Sequence, residues 1–158
     1  MMPEFDPARD LAIARVIRAP RETVWRAWTD PRQLERWWVP APARCRVEAL
    51  ELFPGGAFTS LYAEPGQELG PHLDACILAA EAPGRLVFTD ALKAGFRPAA
   101  SGFMTAHIFL REHAEGTEYV AQVLHAGPAD RARHEELGFF DGWGTVAGQL
   151  AALVEGRA

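Results

Sequence analysis

The stretch from Cys45 to His125 most constrains what this chain can fold into. Turn signals cut it into pieces of strand length and strand composition. The pieces expected as strands are Arg44 to Phe53, Ala57 to Ala63, His72 to Glu81, Arg85 to Asp90, Phe103 to Glu112 and Thr117 to His125. Between them lie Pro54-Gly55-Gly56, Glu64-Pro65-Gly66, Pro83-Gly84, a loop over Ala91–Gly102 and a hairpin turn at His113–Gly116. Connections this short join antiparallel neighbours, since a parallel pair needs a long crossover. The reading is a meander.

Before the meander, residues 1–10 read as a flexible N-terminal tail and Leu11 to Arg18 as a first strand rich in Ile and Val. Pro20 suits the first position of a helix whose apolar face is Val24, Trp25 and Trp28. Asp30-Pro31 restarts the chain as N-cap and N1, with Gln33 at N3, for a short second helix carrying Leu34, Trp37 and Trp38. After Gly127-Pro128 one long helix is expected to run from about Asp130 to the C-terminus. Its start, His134 to Gly144, reads HEELGFFDGWG. Glycine costs about 1 kcal/mol against alanine inside a helix. Gly138, Gly142, Gly144 and Gly148 therefore ask for a reason, either a strand lying very close or a hollow beside the helix. Strand, two short helices, six strands and a long helix make an α+β fold with an antiparallel sheet. A helix gripped by a curled sheet leaves a cavity wherever it does not fill the curl.

The 158 residues suffice for one domain, expected over 11–158. The net charge of −5 and the scattered arginines, with Lys93 the only lysine, argue against nucleic acid as a partner. No apolar run approaches the ~18 residues of a membrane span. No secretory segment precedes Cys45 and Cys76, so a cytoplasmic location with reduced thiols is expected. The oligomeric state, including a homodimer, stays open.

Nucleophile, phosphate-loop and dinucleotide signatures are missing, and neither Ser60 nor Ser101 has an activating context. The five histidines fall on separate elements, so no metal site and no cofactor is expected. His72 and Asp74, two apart on a strand, should share a face. With a turn at His113–Gly116, Glu112 pairs with Thr117 and His107 falls opposite Gln122. Met104, Ala106, Ile108 and Leu110 then share the apolar face with Tyr119, Ala121, Val123 and His125, and His107 points away. His134 reads either as a surface helix start or as a polar group at a cavity mouth.

The motifs APRETVWRAWTDPRQLERWW (Ala19–Trp38), LFPGGAF (Leu52–Phe58), RLVFTD (Arg85–Asp90), GTEYV (Gly116–Val120) and Gly142-Trp143 together carry a resemblance. The chain resembles a bacterial member of the SRPBCC superfamily (START- and birch-pollen-allergen-like, helix-grip). Within it, it resembles the branch named after the activator of the ninety-kilodalton heat-shock chaperone ATPase. The resemblance implies the helix-grip fold with a cavity between sheet and long helix. Relatives include carriers, cyclases and chaperone activators, so fold alone does not choose a function. The reading favoured is a binder of a small hydrophobic or aromatic molecule. Its expected lining is Trp38, Phe58, Leu61, Phe88, Met104, Ile108, Tyr119, His125, Phe139, Trp143 and Leu150, with hydrogen bonds from Tyr119 and His125. The alternatives are a cyclase- or hydrolase-type enzyme in the same cavity and, less favoured, chaperone ATPase stimulation.

Overall fold

In the computed structural model, which describes residues 2–158, strand β1 (Leu11–Ile17) precedes helices α1 (Arg21–Thr29) and α2 (Pro31–Leu34). Strands β2 (Arg44–Leu50), β3 (Ala57–Ala63), β4 (Gly70–Glu81) and β5 (Arg85–Thr89) follow. The segment expected as a plain loop contains a small ribbon, β6 (Leu92–Lys93) and β7 (Arg97–Pro98). The hairpin β8 (Thr105–His113) and β9 (Gly116–Leu124) leads into α3 (Pro128–Glu136) and α4 (Phe139–Val154). Met1, part of the expected tail, lies outside the described residues. Asp6 to Asp10 form a turn in which Asp6 accepts from the Ala8 N–H and the Arg9 side chain.

The main sheet has seven strands in the order β1-β9-β8-β5-β4-β3-β2, every neighbouring pair antiparallel. The first two strands thus occupy opposite edges, and α1 and α2 carry the chain from one edge to the other. Asp30 caps α2 by accepting from the N–H groups of Arg32 and Gln33. Pro20 is the residue before α1 rather than its first residue. The hairpin register matches the expected one, with Glu112 opposite Thr117 and His107 opposite Gln122. Ala106, Ile108, Leu110, Tyr119, Ala121 and Val123 are buried on its core face.

The core lies between that face and the helices, and its centre is aromatic. Trp28 stands edge-on to Trp37 (4.8 Å) and Trp38 (5.1 Å) and tilted to Phe88 (6.1 Å). Its indole N–H donates to the Tyr119 hydroxyl at 3.2 Å. Trp37, fully buried, donates to the Ala27 carbonyl at 3.0 Å, which locks the short helices together.

Two expectations of local geometry are corrected. The C-terminal helix is not continuous: Leu137 ends α3, and Gly138, at φ +91°, turns the chain into α4. A left-handed backbone disfavours any residue with a Cβ. His72 and Asp74 do not share a face. Leu61 pairs with Pro71 and Ser60 with Leu73, so His72 is the extra residue of a bulge. The bulge turns His72 inward beside Leu73. Asp74 remains outside, paired with Lys93 at 3.4 Å.

A hollow between the bulge and the broken helix

The bulge in β4, the end of β5, the entry to β8 and the break between α3 and α4 meet around a hollow of about 340 Å³. Trp38, Leu73, Met104, Phe139, Trp143 and Val146 form its apolar wall. Trp38 and Trp143 face each other edge-on at 6.2 Å, and Phe139 stacks on Trp143 at 5.6 Å. The segment carrying Trp38 is held by Gln149 of α4. The Gln149 amide donates to the carbonyls of Trp37 (3.0 Å) and Val39 (2.8 Å), and its oxygen accepts from the Ala41 N–H (2.8 Å). A Cβ built on Gly142 or Gly144 meets nothing within 4 Å. Of the two reasons weighed for the glycines, a hollow and not a close strand fits Gly142, which lines it; Gly144 lies outside that lining, and no close strand accounts for it either. Gly138 is explained by its backbone angle.

Polar groups border this wall. His72 shares a hydrogen bond between Nδ1 and Ser60 Oγ at 2.9 Å and stacks on Tyr62. Asp90 Oδ1 accepts from the N–H groups of Phe103 (2.7 Å) and Met104 (3.0 Å). His134 Nδ1 meets His125 Nε2 at 2.8 Å, and His125 Nδ1 donates to the Arg9 carbonyl at 2.8 Å. Phe103 and Phe139 pack on the His134 ring at 4.8 and 5.0 Å. Trp38 is 8 % exposed, and its buried indole N–H finds no acceptor among the described residues. Buried donors are usually satisfied.

Of the residues read from the sequence, Trp38, Met104, Phe139 and Trp143 line this hollow. Phe58, Phe88, Ile108, Tyr119 and Leu150 lie in the core beneath it, none more than 2 % exposed. Leu61 sits three residues from Phe58 on a strand and so takes the opposite face. His125 stands behind His134. The Tyr119 hydroxyl faces Trp28 rather than the hollow, and burial raises its pKa. His134 is a polar group at the mouth rather than a surface helix start. Leu73, Asp90 and Phe103 were not anticipated as lining. Asp90 could have been suspected as a carboxylate closing a buried strand.

Burial, and the charge His125 would carry, lower the His134 pKa to about 4, although Asp90 opposes this; burial also lowers that of His72. Both rings resist protonation more in the folded chain than in the unfolded one, where imidazole titrates near ~6.5. The stability that a neutral His134 lends is complete above that value and is lost as pH falls from ~6.5 toward about 4. His134→Gln should therefore show a shallower loss of urea midpoint between pH 7 and pH 4.5 than wild type. Parallel curves would show that His134 is not held neutral.

A second depression lies at the other end of the molecule, between the β1–α1 turn and the β8–β9 tip. It is bordered by the exposed pair Arg18–Glu115 (3.5 Å) and by Arg21–Glu112 (3.6 Å), in which Arg21 is half-buried. Half of its lining residues are arginine or glutamate and none is aromatic apart from His113, unlike the hollow walled by Trp38 and Trp143. Among the described residues no helix is long and apolar enough to cross a membrane. Cys45 and Cys76 are unpaired, and burial with the nearby Glu35 pushes the Cys45 thiol up to about 11.

A curled seven-stranded antiparallel sheet around a C-terminal helix is the helix-grip arrangement, and a family profile described as "Activator of Hsp90 ATPase homolog 1-like protein" matches residues 18–155. The chain belongs to this family. A solved structure from Nitrosomonas europaea is 38% identical, covers 97% of this chain and 98% of its own, and superposes with a TM-score of 0.88. One from Chromobacterium violaceum is 26% identical over 93% of this chain and 98% of its own, with a TM-score of 0.72. One from Mycobacterium smegmatis is 25% identical over 92% and 90%, with a TM-score of 0.74. No curated protein matches the sequence.

Proposed function

We propose that residues 11–158 act as one domain that binds a small, flat, largely apolar molecule in the hollow between the sheet and the broken C-terminal helix. The observation that carries this is the wall itself: two tryptophans 6.2 Å apart, edge-on, with Phe139 stacked on one of them, around about 340 Å³. Small-molecule sites are typically ~300–1,000 Å³, apolar, with a few placed polar groups. This volume suits a molecule of one or two rings. The polar edge of His72, Asp90 and His134 would orient it. A second reading, acid–base turnover in the same hollow, draws support from the His125–His134 pair, because a histidine with a free ring nitrogen at an apolar pocket is the usual form of a general base.

Trp143 should report occupancy. Titration with naphthalene-type probes should change tryptophan emission in wild type, with an affinity better than millimolar, about −4 kcal/mol. Trp143→Phe should lose most of that change while still folding. An emission change kept in full by the variant would place the probe elsewhere. Absence of binding up to millimolar probe would remove the ligand reading and favour the protein contact that the family description names.

A further inference from the structure

The histidine pair has a property that follows from its hydrogen bonds alone. A backbone carbonyl can only accept, so His125 Nδ1, 2.8 Å from the Arg9 oxygen, carries a hydrogen. With His125 neutral its Nε2 is bare and must be the acceptor of the 2.8 Å contact with His134. The hydrogen in that contact therefore sits on His134 Nδ1. With His134 neutral too, its Nε2 is left with a free lone pair. That atom has no hydrogen-bond partner among the described residues, and the ring that carries it borders the hollow. Phe103 and Phe139 at 4.8 and 5.0 Å hold the ring in place.

We infer that His134 Nε2 is a tautomer-locked hydrogen-bond acceptor, and that the hollow selects flat apolar molecules carrying a hydroxyl or N–H donor, the phenol and enol class, over analogues of the same shape without one. This deepens the binding reading and rests on it. A site built to hydrogen-bond a ligand donor discriminates against the analogue lacking it, because its own polar group is then buried unpaired. Adding one proton to the pair reverses the preference. Whichever ring takes the charge, His134 Nε2 then bears a hydrogen and becomes a donor. The titratable and charged groups around the pair are Asp90 at the end of β5 and Arg133 on α3 itself, its guanidinium 5.4 Å from the Phe103 ring centre. Arg9 contributes its carbonyl while its side chain pairs with Asp6. Phe139 from α4 and Phe103 from the segment before β8 add no charge.

The test compares 2-naphthol with 2-methoxynaphthalene, of the same ring system but without the donor, on the full chain. At pH 8 naphthol should bind about tenfold more tightly, the scale of one hydrogen bond to a desolvated group. His134→Phe should level the two probes while still binding both. Nitrogen-15 spectra of the unliganded protein should show hydrogens on Nδ1 of both rings and a bare Nε2 on His134. On acidification, the naphthol preference should vanish at the pH where Nε2 gains its proton. Equal affinities in wild type, or a hydrogen on His134 Nε2 while the pair is neutral, would overturn the inference and leave the binding reading standing. Failure of both probes to bind would overturn the two together.

Discussion

Trp28→Ala is expected to destabilise the protein by ~3–5 kcal/mol, the range for truncating a fully buried tryptophan. Trp28 is 1 % exposed and touches Trp37, Trp38 and Phe88 at once, so its loss opens a void that α1, α2 and the sheet would all have to fill. The substitution also strips the Tyr119 hydroxyl of the N–H it accepts, and burial leaves that oxygen no water to turn to. An unpaired buried polar group adds roughly 1–3 kcal/mol. Tyr119→Phe isolates this second part: it removes the acceptor, keeps the ring, and should cost ~1–3 kcal/mol. Urea unfolding followed by far-ultraviolet circular dichroism measures both without relying on tryptophan emission. A cost below about 2 kcal/mol for Trp28→Ala would place it outside the range for a well-packed core and show that the aromatic centre collapses freely.

Gly116→Ala is expected to cost ~3 kcal/mol or more, because two independent penalties coincide. Its φ of +140° is a conformation nearly reserved for glycine, and an added Cβ would lie 2.4 Å from the Ile17 carbonyl oxygen and 2.8 Å from the Ala19 nitrogen. Both are backbone atoms that cannot rotate away. The tip of β9 is also fastened to the same place, since the Thr117 hydroxyl donates to the Ala19 carbonyl at 2.7 Å. Gly142→Ala is the contrast. It sits in α4 with open space around the new Cβ, so it should stabilise by up to ~1 kcal/mol through helix propensity. If Gly116→Ala were neutral, the approach of the hairpin tip to the β1–α1 turn would be looser than described.

The contrast between those glycines also shows what sequence reading can reach. The strand boundaries at Ala57–Ala63 and the β8–β9 register were legible because alternation and turn residues act over several positions and reinforce one another. The break at Gly138 was not, because a helix-tolerated glycine and a left-handed glycine look alike in a sequence, and the apolar spacing continues across both. The bulge at His72 leaves a trace of a single residue, so the alternation that put His72 beside Asp74 had nothing to contradict it. The candidate site was half legible for a related reason. Trp38 and Trp143 announce themselves by type. The meeting of His125 with His134 depends on how the chain turns at Gly127-Pro128, and Asp90 is placed by its hydrogen bonds to Phe103 and Met104 across the loop. The lining expected too deep, Phe58, Phe88, Ile108 and Leu150, follows from treating every inward residue as facing a cavity. In fact the tryptophan cluster fills most of the curl.

The most direct test of the binding reading is a map of backbone amide shifts as naphthalene is added to the isotope-labelled chain. The expected result is saturable change confined to the neighbourhoods of Trp38, His72–Leu73, Phe103–Met104 and His134–Val146, with the region around Arg18–Glu22 and Glu112–Gly116 unmoved. Change centred on that charged depression, or none at all up to millimolar probe, would contradict it.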